Sequence, residues 1–419
     1  MGSSFNPIEK KIAVFLRKYP FAKNFAKSIY SRLMYLVHKK NSPIISNFEV
    51  HCIEKSDYET FFGYYDKCPD NGNGLILVHL SKGDTSKKPR KFTEVELNVY
   101  DLNTQSFILE HPIQTSAFNW QQGSRAHWVN ESTFIYNDYV DGKYKAIEYS
   151  LIDKKRVNIY DFPVQDSYKE EYFLSLNYEI LSVLRPDYGY FSHGDSINED
   201  RGIYQCNIGT DTTSSIVSLE KVLSYEFPEP KGSYEHKLNH IMISPDGSKF
   251  IFMHRYYNES KQRFDRLLLA DRNGNLLKVL SKGDMVSHCY WTNNDEVLGY
   301  LTGPGGVDKY WKINIHTGNY SSFDEFNNVL SADGHPSVSI NGEYLTDTYP
   351  DKSRMQSLYY LNDSMEKAEN IASLYHSFKF SGETRCDLHP RFSSDAKYVF
   401  FDTVFNNKRK LAFIKLDKS

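Results

Sequence analysis

The chain has 419 residues, a formal net charge of −3, an apolar content of 40% and an aromatic content of 15%. The near-neutral charge indicates no nucleic-acid partner, and the apolar content suffices for a large core. The five cysteines are odd in number, widely spaced and without a CxxC pair, which excludes a disulfide framework and a zinc knuckle. This cysteine usage is typical of a reducing compartment, so we expect a cytoplasmic protein.

Residues 1–42 differ in charge from everything that follows. They carry nine lysine or arginine residues and a single acid, so their net charge is +8 and that of the remaining chain is −11. The longest apolar run is too short for a secretory signal or a membrane span. Two apolar faces with helical spacing flank Pro20. Their members are Ile12, Phe15, Leu16 and Tyr19 before it, and Phe25, Ile29, Leu33 and Leu36 after it.

This pattern predicts a basic amphipathic helical arm over residues 1–42. Such an arm suits an anionic membrane surface, because each nearby cation adds about 1 kcal/mol of attraction. The alternative is an arm that packs on the rest of the protein or on a second subunit.

Residues 43–419 consist of short apolar segments separated by polar turns. Four of these stretches begin with a histidine, at His240, His288, His335 and His389, and lie 48, 47 and 54 residues apart. Each runs into a polar turn and then into apolar alternation, as in Ser244-Pro-Asp-Gly. A repeat of this length is typical of one propeller blade, a four-stranded sheet.

Three earlier units complete the count. They lie near Tyr64, near Arg125 and between residues 172 and 217. We therefore predict an all-β fold, a seven-bladed β-propeller over residues 43–419 preceded by the helical arm. The strand-like segment 48–53 is expected to complete the last blade and close the ring, which removes its exposed edges.

The repeat also predicts a site. The first strand of each blade lies nearest the central channel, so the four leading histidines should converge on one rim. Several neutral imidazoles there would suit manganese, iron, zinc or copper. Cations near the same rim would either bind an anionic ligand bidentately or brace the blades. The candidates for substrate binding are Arg125, Tyr65, Lys67, Arg255, Arg354 and Arg391, with Tyr64 as a candidate proton donor.

The second half of the chain resembles the oligogalacturonate lyase family. Ser287-His-Cys-Tyr-Trp291 is similar to that family's metal motif Thr-His-Glu-Phe-Trp, and His389-Pro-Arg-Phe-Ser-Ser-Asp395 to its His-Pro-Ser-Phe-Thr-Pro-Asp. Gly334-His335, before the turn at Asn341-Gly342, resembles its Ser-His segment, and the stretch from His240 to His254 matches in form its catalytic histidine and following strand.

The resemblance implies a cytoplasmic propeller that binds Mn(II) and cleaves short uronic-acid chains by β-elimination. It further implies His288, His335 and His389 as metal ligands, His240 as the general base and Arg201 as the arginine beside that base. The family's glutamine ligand is replaced by Ala332, with Asp333 as a neighbouring substitute, and Cys289 stands in place of an acid.

Two functions are compatible with these sequence features. The rim histidines favour a metal-assisted lyase that acts on a uronic-acid-containing glycan. The basic arm favours a membrane-surface component of capsule or lipopolysaccharide biosynthesis that binds or transfers an anionic glycan. A propeller that only mediates protein interactions accounts for neither feature.

Overall fold

In the computed structural model the backbone is described for residues 20–191, 193, 200–227, 235–258, 262–283 and 285–416, and side chains from residue 28 onward. Seven antiparallel sheets follow one another around a ring. The predicted seven-bladed β-propeller is therefore confirmed. None of the helices in the described ranges is long and apolar enough to cross a membrane.

Blades 1 to 3 are built from residues 59–217. Blade 1 contains Glu59–Phe61, Leu75–Ser81, Val95–Asp101 and Ser106–Phe107, with Ile113–Thr115 also paired to its third strand. Blade 2 contains His127–Trp128, Thr133–Val140, Lys143–Ser150 and Lys155–Tyr160. Blade 3 contains Asp166–Tyr168, Tyr172–Ser175, Ile203–Asn207 and Thr212–Val217.

Blades 4 and 5 have the longest and most regular strands. Blade 4 contains Glu235–Ile243, Lys249–Tyr257, Arg263–Asp271 and Leu276–Gly283. Blade 5 contains Val286–Asn293, Glu296–Thr302, Asp308–Asn314 and Tyr320–Ser322.

Blades 6 and 7 each take a strand from the beginning of the propeller. Blade 6 contains Ser337–Val338, Tyr344–Asp347, Met355–Leu361 and Glu369–Tyr375, and Ile44–Ser46 adds a fifth, outermost strand. Blade 7 contains Arg391–Phe392, Tyr398–Thr403 and Lys410–Lys415, and Val50–Cys52 is its fourth strand. The predicted ring closure by residues 48–53 is thus confirmed.

The described helices are short, apart from the first. Helix α1 spans Pro20–His38, as the apolar pattern after Pro20 predicts; the helix predicted before Pro20 lies outside the described residues. The others are α2, α3 and α4, with two 3-10 turns. Helices α2, α3 and α4 span Tyr178–Leu184, Leu219–Ser224 and Asp324–Asn327, respectively. The 3-10 turns span Pro304–Gly306 and Gly382–Thr384.

The turn after the first strand of blade 4 shows why the repeat folds as it does. The Ser244 hydroxyl donates to Asp246 (2.6 Å), and the same carboxylate accepts from the Ser248 backbone N–H (3.0 Å). Gly247 has a φ of 72°, and a Cβ there would lie 2.5 Å from the Tyr168 ring. The turn therefore requires glycine both for its left-handed backbone and for its contact with blade 3.

Strand alternation gives the ring two distinct ends. Hairpins that join the first strand to the second, and the third to the fourth, lie at one end. Connections between blades, and hairpins between second and third strands, lie at the other, which we call the connection face. Packed aromatic and aliphatic side chains fill the space between neighbouring blades; one such cluster combines Tyr172 of blade 3 with Phe250 and Phe252 of blade 4.

Candidate metal centre and cavity

Three buried side chains on the connection face converge at the channel rim. His335 and His389 precede the first strands of blades 6 and 7, and Asp387 lies two residues before His389. One ligand atom from each lies within 4.8 Å of the others. Two imidazoles and a carboxylate at this spacing form a donor set for a divalent transition metal.

Both imidazoles are held by hydrogen bonds through Nδ1. Asp347 accepts from Nδ1 of His335 (2.8 Å) and also from the backbone N–H groups of His335 (2.8 Å) and His389 (3.1 Å). His389 Nδ1 donates to the Gly63 carbonyl (3.0 Å). With the proton assigned to Nδ1 by these acceptors, the lone pair lies on Nε2 of each ring.

The two Nε2 atoms are buried and have no hydrogen-bond partner. A buried polar atom without a partner costs free energy unless a ligand uses it. Burial lowers the pKa of His335, but the carboxylates of Asp347, Asp387 and Asp333 together outweigh it, so the net shift of the pKa is upward. For His389, burial and the charge of His335 hold the pKa well below its usual range. The residues present therefore fit a metal ion.

His288 lies beside this donor triangle. Its ring centroid is 3.9 Å from that of His335, and its Nδ1 is 3.3 Å from the Ser287 hydroxyl, which donates to Asp333 (2.6 Å). Of the three ligands that the resemblance implies, His335 and His389 belong to the triangle and His288 adjoins it. Asp387 supplies the oxygen donor, whereas Asp333 holds Ser287.

His240 lies next along the rim, and an aromatic cage surrounds it. The Tyr64 hydroxyl is 2.6 Å from its Nε2, and the Tyr188 ring packs edge-on at 4.8 Å between centroids. Burial and the nearby Arg255 and Arg185 hold the pKa of His240 well below its usual range, so the ring is neutral. Its φ of 54° places this non-glycine residue in the left-handed region, a strain that is concentrated at functional sites.

A cavity of about 720 Å³ opens above these residues on the connection face. This size is in the range of small-molecule binding sites. His240 and His288 form part of its floor, and Tyr188 and Tyr349 are on its wall. Cationic side chains in the lining are Arg185, Arg255, Arg263, Lys352 and Arg354.

Of the predicted substrate-binding residues, two line the cavity and one lies beneath it. Arg255 and Arg354 line the cavity; Arg255 is also paired with Asp265, and Arg354 also lies over the Phe378 ring. Tyr65 is buried beneath the cavity and donates to the Cys289 carbonyl (2.9 Å).

Three of the predicted substrate-binding cations have partners inside the protein. Arg125 forms a bidentate pair with Asp66 (2.9 and 2.7 Å) and also donates to a backbone carbonyl. Lys67 is paired with the buried Asp166. Arg391 donates to the carbonyls of Gly63 and His389 and to Asp402, so it braces blade 7 against blade 1.

Arg201, the predicted neighbour of the base, is not part of the cavity lining. Its guanidinium donates to the backbone carbonyl of His236 (2.9 Å). Arg185 is instead the cation beside the His240 cage: it lines the cavity, lies 4.9 Å over the Tyr188 ring and pairs with Asp187 (3.0 Å). Arg185 and Tyr188 both come from the insertion between the second and third strands of blade 3.

No protein-family model and no curated protein matches the chain. The fold and the rim define a seven-bladed β-propeller with a histidine-rich centre on its connection face.

Among solved structures, the chain is similar to oligogalacturonate lyases. One, solved in complex with manganese, has 14% sequence identity and a TM-score of 0.60, with 91% of this chain and 96% of that chain covered. Another, from Vibrio parahaemolyticus, has 15% identity and a TM-score of 0.58 and covers 91% of this chain and 99% of that chain. At this identity the likeness shows a shared fold.

Proposed function

We propose that this protein is a metal-dependent lyase that cleaves a uronic-acid-containing glycan by β-elimination. The observation that carries the proposal is the pair of buried, unpartnered Nε2 atoms of His335 and His389 beside Asp387, next to a cation-lined cavity. Mn(II) is the favoured metal, because a structural neighbour was solved with manganese.

His335, His389 and Asp387 would hold the ion, with His288 as an additional ligand. When bound, the ion would stabilise negative charge on the uronate carboxylate, which makes the proton on the adjacent carbon more acidic. The cavity arginines Arg255 and Arg185 add positive potential on the same side and attract an anionic sugar.

His240 would remove the proton next to the carboxylate. The electron pair of that C–H bond forms the new carbon–carbon double bond, and the bond to the glycosidic oxygen at the β-carbon breaks. The departing oxygen needs a proton, and Tyr188 is on the cavity wall beside His240. Tyr64 contacts His240 from beneath and is 3% exposed, so we assign it the role of positioning the base.

The test combines metal analysis with an ultraviolet absorbance scan over a panel of uronate-containing glycans, because β-elimination creates an absorbing unsaturated product. We expect the purified protein to hold one divalent ion. The H335A and H389A variants should lose the ion, and H240A should keep it but lose turnover. H316A, at an exposed histidine on the opposite end of the ring, is the matched control. An H335A/H389A variant that keeps its metal would refute the proposed centre.

A second candidate is a protein that binds an anionic glycan during its assembly without cleaving it. Helix α1 favours this candidate, because Tyr30, Ser31 and Met34 on that helix line the cavity. A lyase that digests free oligosaccharides has no evident need of a basic arm at its entrance. Saturable binding of a uronate glycan without any absorbing product would favour this candidate over the lyase.

A further inference from the structure

One side of helix α1 faces the cavity and the other faces solvent. On its inner side, Tyr30, Ser31 and Met34 line the cavity. Tyr35 anchors the helix to the end of blade 6, with its ring 5.5 Å from Tyr375 and 5.5 Å, edge-on, from Phe378. The helix is therefore fixed on the connection face with one side in the cavity.

The outer side of α1 is an exposed apolar row. Ile29, Leu33 and Leu36 follow one another at intervals of four and three residues, so they share one face of the helix. Their exposed fractions are 44%, 54% and 66%, and the adjoining Val37 is 74% exposed. The apolar face predicted for this helix thus turns away from the propeller. A contiguous exposed apolar face of this kind marks an interaction surface.

The charge and composition of the helix indicate which partner covers this row. Residues 28–42 contain Arg32, Lys39 and Lys40 and no acid, and the whole segment 1–42 has a net charge of +8. Protein interfaces are anchored by aromatic side chains, but between residues 28 and 38, where the side chains are described, the aromatic residues Tyr30 and Tyr35 are on the inner side. Aliphatic side chains on one face and cations around them are the pattern of a helix that lies in the interface of an anionic bilayer.

We propose that α1 docks the protein on an anionic lipid surface through Ile29, Leu33 and Leu36. Because the same helix lines the cavity, docking holds the cavity mouth against the bilayer surface. A glycan that reaches the site is then one attached to the membrane, such as a lipid-linked uronate-containing chain. This last step rests on the proposed function, whereas the docking itself does not.

The experiment measures sedimentation of the full-length protein with vesicles of phosphatidylcholine alone and with phosphatidylglycerol added, at low and high salt. We expect binding only to the anionic vesicles, weakened by salt because the charge attraction is screened. The triple variant I29S/L33S/L36S should bind about 100-fold more weakly, since three aliphatic side chains no longer enter the lipid. The matched control is I152S, at a 78% exposed position in a hairpin at the opposite end of the ring.

Two outcomes would overturn the docking proposal. The first is that the full-length protein does not bind anionic vesicles at low salt. If, in addition, the wild type elutes as a dimer and the triple variant as a monomer in size-exclusion chromatography, a second copy of the chain covers the apolar row. The second is that the folded triple variant binds the vesicles as well as the control does. Metal content is measured on the same samples, so a protein that docks but holds no metal contradicts the proposed function and leaves the docking intact.

Discussion

Replacing Asp347 by asparagine should disturb the orientation of the proposed metal ligands His335 and His389 without changing the ligands themselves. The carboxylate is 1% exposed and accepts from the backbone N–H and Nδ1 of His335 and from the backbone N–H of His389. Asparagine offers one acceptor oxygen in place of two and directs an NH₂ group toward these donors. Both Asp347 oxygens lie close to His335 Nδ1, at 2.8 and 3.0 Å, so in either orientation of the amide its NH₂ group faces this N–H donor and the ring is no longer held with Nε2 toward the proposed ion.

The expected loss in metal affinity is about 10–100-fold, which corresponds to roughly 1.4–2.7 kcal/mol. The free energy of unfolding should also fall, by about 2–4 kcal/mol, because charge-assisted buried hydrogen bonds are lost. Competitive titration with Mn²⁺ or Zn²⁺ measures the first quantity and denaturant unfolding the second.

The matched control is D70N. Asp70 is also buried and accepts from two backbone N–H groups, those of Gly74 (3.2 Å) and Ser394 (3.1 Å), but it lies at the opposite end of the ring. D70N should lower stability and leave metal affinity unchanged. A D347N protein that stays folded and binds metal within twofold of the wild type would refute the proposed role of Asp347.

Three further predictions concern the framework. Gly63→Ala should lower the free energy of unfolding by about 3 kcal/mol or more in denaturant melts, because φ is 134° and a Cβ would lie 2.6 Å from the Gln122 backbone; an unchanged midpoint would contradict this. His51→Pro should lower the melting temperature, because the hydrogen bond from Ile53 N–H to the Leu411 carbonyl (2.9 Å) fixes the alternation of the ladder and makes His51 a donor to the opposite strand Lys410–Lys415; a melting temperature equal to that of the wild type would show that closure tolerates the break. Burial, followed by neighbouring cations, lowers the pKa of Lys237 to about 8, so the unfolded chain binds the proton more tightly and the free energy of unfolding rises with pH between about 8 and 10.5. Over that window the wild type should gain about 3 kcal/mol relative to K237M when both are unfolded at a series of pH values. Parallel pH curves for the two proteins would contradict this prediction.

The fold was predictable because the residues that begin strands and form turns recur at a regular spacing along the chain. The leading histidines and turns such as Ser244-Pro-Asp-Gly recur at blade length, and the segment 48–53 carries its strand pattern locally. The same register brought His335 and His389 to one rim. These features depend on neighbouring residues in the chain, so the sequence alone reveals them.

The remaining parts of the site depend on contacts between distant segments. Asp387 lies in the connection before blade 7, and no repeat specifies where such a connection runs; its signal was the Asp-x-His spacing to His389. Arg185 and Tyr188 come from an insertion in the least regular blade. The pairing of Arg125 with Asp66 depends on how blades 1 and 2 meet, so sequence position could not distinguish a brace from a substrate clamp.

The closure of the ring sets the order in which the protein can be completed during synthesis. Ile44–Ser46 and Val50–Cys52 are made first, yet their partner strands in blades 6 and 7 leave the ribosome last. Contacts across so long a stretch of chain form slowly. His389, in the last blade, is held by the carbonyl of Gly63, which is near the start of the propeller. A nascent chain therefore cannot orient His389 until its two ends meet, so uptake of the proposed metal would report completion of the ring.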